Sequence, residues 1–192
     1  MITIVDYGNT SAKEIAEALI KLSAETKISN KERDILSADR IILPDSNDIS
    51  SSIRKLHLLN LFSVLRIVKR PVLGIGTGMH LMTKAYAKFN AACLGCFPVE
   101  CESRLNDPQQ TLEELQLNII EGTGLLKGIK ETDKFMFHTN CIIPVTPFST
   151  STIDIDGLIT SSIEKENLFG VQFNPERSGE AGVKLIQNFL KT

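Results

Sequence analysis

Residues 71–80, Pro-Val-Leu-Gly-Ile-Gly-Thr-Gly-Met-His, constrain the backbone more tightly than any other stretch of this 192-residue chain. The apolar run at 72–75 reads as a strand that must turn within a few glycines and start a helix at once. That is the shape of a nucleophile elbow, a strand-to-helix turn that holds one reactive side chain above the end of a sheet. The elbow position here is Gly76, which has no side chain to present. Elbow residues adopt backbone angles that cost about 1–3 kcal/mol when a Cβ is present, and glycine relieves that strain.

Strand and helix patterns alternate on either side of the elbow. Residues 2–6 read as a buried strand ending in the turn Tyr7-Gly8-Asn9. Thr10 or Ser11 stands where a helix cap belongs, and Ala12, Ile15, Ala16, Leu19 and Leu22 then share one helical face. Short strands follow at 26–29 and 40–43, the second stopped by Pro44-Asp45. A helical stretch carrying Ile53, Leu56, Leu59, Val64, Leu65 and Val68 leads back to the elbow strand, and a helix over 77–88 leaves it. This rhythm predicts a three-layer α/β fold, a mostly parallel central sheet with helices on both faces and right-handed crossovers. Ligand sites on such sheets lie beyond the carboxyl ends of the strands, where these loops converge.

The pattern changes after Leu94. Extended runs at 97–102, 135–143, 153–160 and 168–173 predict an antiparallel extension of the sheet, and 105–114 reads as a polar surface loop. Ser178 is placed to cap a final helix whose Val183, Ile186, Phe189 and Leu190 face the core. No repeat or low-complexity linker divides the chain, so one domain over residues 1–192 is expected.

Several function classes are excluded by charge and spacing. A net charge of -2 gives no case for a nucleic-acid or membrane partner. No apolar stretch approaches the roughly 20 residues of a membrane span. Residues 1–6 lack the basic region of a signal peptide, and a cytoplasmic location is expected. Cys93-x-x-Cys96 matches half of a zinc or redox site. Without a second pair or a nearby histidine, these thiols and Cys101 and Cys141 read as structural, and no metal is expected. The glycine turn lacks the third glycine of the dinucleotide fingerprint, where Met79 stands, and has no P-loop lysine. No cofactor is expected, although amides at the start of the following helix remain open to an anion.

A second segment, Phe169-Gly-Val-Gln-Phe-Asn-Pro-Glu-Arg-Ser-Gly179, completes a comparison with the elbow. Together they resemble the class I glutamine amidotransferases, above all the glutaminase subunits of imidazole glycerol phosphate synthase, which serve histidine biosynthesis. The likeness extends to Asp6-Tyr7-Gly8, Ile42-Leu43-Pro44, Leu94-Gly95 with Pro98, residues 125–129 and Gly179-Glu180-x-Gly182. It implies a flavodoxin-like fold and a thiolate, a histidine base and an orienting glutamate. In this chain the cysteine position is Gly76 and the histidine position is Asn174, while Glu176 keeps the glutamate. Asparagine takes up no proton near neutral pH and glycine attacks nothing.

The resemblance also aligns Pro44-Asp45-Ser46-Asn47 with a glycine-rich loop that helps form the oxyanion hole. A carboxylate there opposes a developing oxyanion. Thr139-Asn140-Cys141 stands in place of a His-Ser-Tyr segment. Thr77 lies beside the elbow but lacks a base, and His80 is placed to face the vacated pocket. His138 is expected to point away from the site, His57 to lie on a helix surface, and Glu176 to be structural or solvent-facing. The resemblance therefore implies a chain unable to hydrolyse glutamine, acting as a partner-binding or regulatory subunit with a cyclase-type synthase. A small-molecule enzyme or binder using Asp45, Ser46, Asn47, Thr77, His80 or Asn174 is the alternative, and an active glutaminase is the third reading. On these residues, Gly76→Cys with Asn174→His is the substitution expected to test whether the scaffold remains competent.

Overall fold

The computed structural model describes residues 1–8, 11–103, 112–138, 141–155 and 157–192. Asn9, Thr10, Thr139, Asn140 and residues 105–111 of the expected polar loop lie outside the described residues.

Four short strands, β1 (Ile2–Val5), β2 (Thr26–Ser29), β3 (Arg40–Leu43) and β4 (Val72–Ile75), run parallel in the order β2-β1-β3-β4. Their side chains alternate between the two faces with the period of a strand. Val5, Ile41, Leu43 and Val72 enter one core; Ile2, Ile4, Ile42, Leu73 and Ile75 enter the other. Helices α1 (Ala12–Lys21), α2 (Glu32–Leu36), α3 (Ile49–Leu58), α4 (Leu61–Ile67) and α5 (Thr77–Leu81) connect and flank them. α1 covers the second core with Ala12, Ile15 and Leu19, whose burial contributes about 1.5–3 kcal/mol for each large side chain. α2 to α5 cover the first.

The helical stretch before the elbow strand is two helices. Asn60 adopts φ 56°, a left-handed conformation that breaks the ladder between Leu58 and Leu61. The expected helix over 77–88 ends at Leu81. The Leu81, Met82 and Thr83 carbonyls accept instead from the Leu94, Phe97 and Gly95 amides, and Thr83 Oγ1 donates to the His80 carbonyl at 2.7 Å. The chain then enters β5 (Ala85–Tyr86), β6 (Ala91–Ala92) and β7 (Glu100–Ser103).

Beyond β7 lie β8 (Leu112–Gln116), β9 (Asn118–Ile119), β10 (Lys134–His138), β11 (Cys141–Ile142), β12 (Ser149–Asp154), β13 (Leu158–Lys165) and β14 (Leu168–Val171). The antiparallel extension consists of β13, β12 and β9. β14 itself lies parallel to β4, with Val171 opposite Ile75. Residues 97–102 and 135–143 do not extend the main sheet: β7 joins β5, β6 and β11, and β10 pairs with β8. Residues 112–114, expected within a loop, form part of β8.

The final helix, α6 (Gly179–Phe189), buries Leu185, Ile186 and Phe189 against the α1 face. Val183 is 42% exposed, one position off the buried stripe. Neither Ser11 nor Ser178 caps its helix through its side chain. Ser178 Oγ donates to the Asn174 carbonyl, and Ser11 Oγ donates to the Asp45 carbonyl, so both hydroxyls are taken by the loops beyond the sheet. Among the described residues no helix is long and apolar enough to cross a membrane.

Candidate functional site

Three neighbouring parallel strands, β3, β4 and β14, end together and deliver the loop at 44–47, the elbow and residues 172–176 to one place. The elbow is held as the sequence requires. Gly76 has φ 53° and ψ -118°, a conformation that disfavours a side chain, and its amide donates to the Val171 carbonyl at 2.8 Å. Two residues on, a Cβ at Gly78 would fall on the Leu43 carbonyl, so the elbow helix can pack against β3 only with glycine there.

The space above Gly76 is filled by Asp45. A Cβ built on Gly76 would lie 2.5 Å from Asp45 Cγ and 2.9 Å from Oδ2, with Oδ1 nearer still. The carboxylate therefore occupies the position from which an elbow side chain would project. Its Oδ1 accepts from the Thr77 amide at 2.8 Å and from the Ser46 amide at 2.9 Å. The Thr77 amide is the donor that, in an elbow enzyme, binds the oxyanion. Oδ2 lies 3.4 Å from Asn174 Nδ2, which donates to it, and 3.6 Å from His138 Nδ1. Burial raises the Asp45 carboxyl, but His138 and Thr77 outweigh it and hold the group below the usual carboxylate range.

His138 thus faces the site, contrary to the expectation that it points away. The Met136 carbonyl accepts from the Asn174 amide at 2.8 Å, and Phe137 bridges Phe173, so β10 is laid beside residues 173–174 with its last side chain over Asp45. The signal available in the sequence was the Phe135–Phe137 alternation, which puts His138 on the face opposite those phenylalanines.

Asn174 bridges two carboxyl groups. Its Nδ2 also donates to Glu176 Oε1 at 3.1 Å, so positions 174 and 176 are linked through an amide. Glu176 is half-buried rather than solvent-facing. Burial pushes its carboxyl up to about 7, with the Asp45 charge acting in the same direction, and Oε2 is buried without a partner.

The remaining candidates other than Asn47 are satisfied within the protein. Thr77 Oγ1 donates to the Ser46 carbonyl at 2.7 Å, and Ser46 Oγ is 2.7 Å from Ser52 Oγ. Asn47 is exposed. His80 does not face the vacated space or the solvent: it is 3% exposed, and its Nε2 lies 3.3 Å from Gln172 Oε1. Burial pulls its pKa down to about 4, so the ring is neutral and donates this bond. Gln172 passes the chain on, its Nε2 donating to the Cys141 carbonyl at 2.6 Å. His57 is exposed and stacked on Phe62.

Sequence reading also missed how the loop at 44–47 is locked. Its three successive carbonyls at 44, 45 and 46 accept from hydroxyls on different elements: Tyr7, Ser11 and Thr77. Among the described residues no group of three or more His, Cys, Asp or Glu side chains is arranged to hold a metal. Cys93, Cys101 and Cys141 are free and buried, and Cys96 is free and half-buried.

Comparison with known proteins agrees with this architecture. The family model for glutamine amidotransferase class-I matches residues 3–192. The imidazole glycerol phosphate synthase subunit HisH 1 of Vibrio vulnificus is 31% identical, over 99% of this chain and 97% of its own. The corresponding subunit HisH of Escherichia coli is 29% identical, over 99% and 98%. A solved glutamine amidotransferase superposes with a TM-score of 0.79 at 15% identity, over 100% of this chain and 98% of that one. A GMP synthase-like protein from Thermoplasma acidophilum gives 0.78 at 16%, over 99% and 92%. At such identities these two structures speak for the fold alone.

Proposed function

This chain belongs to the class I glutamine amidotransferase family, and from that premise we propose that it is a member that does not hydrolyse glutamine and instead serves a cyclase-type synthase as a bound, non-catalytic subunit. The likeness to HisH subunits over the full chain supports the choice of partner. One observation carries the loss of chemistry: the Asp45 carboxylate lies where the elbow side chain would project and takes the amide that would bind the oxyanion.

The family's reaction needs a nucleophile, a base and a place for negative charge to develop. Residue 76 supplies no nucleophile. The Asn174 amide accepts no proton, and its Nδ2 donates to two carboxyl groups. A full negative charge already occupies the hole. Removing one oxyanion-hole donor from an enzyme costs about 10²–10³ in kcat, and here the hole is both filled and repulsive.

The alternative of a small-molecule enzyme in the same pocket has less to support it. His80, Thr77, Asp45 and Asn174 are each 7% exposed or less and bonded to one another or to the surrounding chain. The discriminating experiment measures glutamine hydrolysis and pull-down of a cyclase-type synthase by the native chain. Binding without ammonia release, with and without the partner's substrate, is the expected result. Turnover well above a no-protein control would overturn the reading.

A further inference from the structure

Asp45 is held by a set of donors that suits a carboxylate and little else. Two amides, from Thr77 and Ser46, converge on one oxygen; Asn174 Nδ2 donates to the other, and His138 Nδ1 lies beside it. Such a set needs a planar acceptor with two oxygens and no hydrogen of its own. An amide at the same place would turn its NH₂ either onto the Thr77 and Ser46 amides or onto the Asn174 NH₂, a donor against a donor in each case. Gly76 contributes the room, because any Cβ there would meet the carboxylate.

We propose that the former oxyanion hole is a carboxylate receptor that the chain fills with its own Asp45, and that the ligand class this hole accepts is a small monocarboxylate. The proposal rests on the reading that the pocket performs no hydrolysis, and gives the altered residues a common purpose. Gly76 makes space, Asp45 enters it, and Asn174 holds the second oxygen as a histidine bonded to Glu176 could not do without giving up its own acceptor nitrogen. The backbone around the hole is fixed independently of the ligand. Hydroxyls of Tyr7, Ser11 and Thr77 hold the carbonyls at 44, 45 and 46, so shortening Asp45 leaves a lined hole instead of a collapsed loop.

The test removes the resident carboxylate and supplies one from solution. Asp45→Gly is titrated with sodium formate, against sodium chloride and formamide at matched ionic strength, following the thermal midpoint and the Thr77 and Ser46 amide resonances. Formate should raise the midpoint saturably and move both resonances, with half-saturation no tighter than roughly 1 mM for a three-atom ligand. Chloride and formamide should do neither, and the native chain should not respond. Equal responses to formate and chloride, or equal responses of native and variant chains, overturn the proposal.

If Asp45→Gly does not fold, Asp45→Asn replaces it. Its folding equilibrium should fall at least tenfold although size and shape are kept; an unchanged equilibrium refutes the receptor. Failure of the function reading shows separately, as glutamine hydrolysis by the native chain, whatever formate does to the variant.

Discussion

Substituting Gly76 by alanine should cost far more in the native chain than in a chain lacking the Asp45 side chain. Two effects contribute in the native chain. The backbone at φ 53°, ψ -118° strains any residue with a Cβ by about 1–3 kcal/mol. The new Cβ would also sit 2.5 Å from Asp45 Cγ, so the carboxylate must leave. It then gives up amide bonds of 2.8 and 2.9 Å from Thr77 and Ser46, each worth about 1.5–3 kcal/mol to a charged group, and recovers part of that by reaching water. The expected total is about 3–6 kcal/mol. In an Asp45→Gly background only the strain remains, about 1–3 kcal/mol. The gain of glycine-to-alanine in the unfolded chain enters both arms and cancels. A double-mutant cycle from guanidinium unfolding should therefore return a coupling of about 2–4 kcal/mol. Costs that add to within about 0.5 kcal/mol would show that Asp45 does not occupy the elbow space, and the reasoning built on it would fail.

On the proposed reading, glutaminase activity should appear only with three substitutions, Gly76→Cys, Asn174→His and Asp45→Gly; the double Gly76→Cys, Asn174→His should stay at background in an ammonia-release assay, because the Asp45 carboxylate, displaced by the new Cβ, stays beside the hole and its charge opposes the oxyanion. His80, neutral and held at about 4 against an ordinary 6.5, contributes stability present above pH 6.5 and lost as pH falls towards 4, worth about 3 kcal/mol across that window. Glu176, raised from 4.5 to about 7, has the opposite sign: its contribution is present below pH 4.5 and lost as pH rises through 7. The two slopes offset between pH 4.5 and 6.5, so Glu176→Gln should steepen the acid loss in guanidinium midpoints taken from pH 4 to 8, and leave stability at pH 8 at or above native by up to about 3 kcal/mol. An unchanged pH profile in Glu176→Gln refutes the raised Glu176 carboxyl. Gly78→Ala should abolish folding or cost more than about 4 kcal/mol in urea unfolding, since its Cβ meets the Leu43 carbonyl, a rigid backbone atom.

The parallel strands and the faces of α1 were legible because their signals are local. Strand alternation and the 3.6-residue period depend only on which side chains are apolar, and β1 to β4 fall within one residue of the positions those patterns mark. The break at Asn60 was signalled only weakly, since asparagine permits the left-handed conformation without requiring it, and the early end of α5 was not legible because it depends on amides at 94, 95 and 97 arriving from elsewhere. The hydroxyls of Ser11 and Ser178 read as caps, yet the Asp45 carbonyl of a distant loop took the first and the Asn174 carbonyl, four residues back, took the second.

At the site, the sequence by itself determined what is missing. Gly76 and Asn174 carry no nucleophile and no base whatever surrounds them, because those properties belong to the side chain alone. Only the tertiary structure decided what took their place. Asp45 and Gly76 are far apart in the chain, and His138 lies farther still; the β3-β4-β14 pairing brings the first two together, and β10 adds the third. Whether a carboxylate repels an oxyanion from nearby or fills its hole is a matter of about 3 Å, and distances of that size are set by packing rather than by residue type.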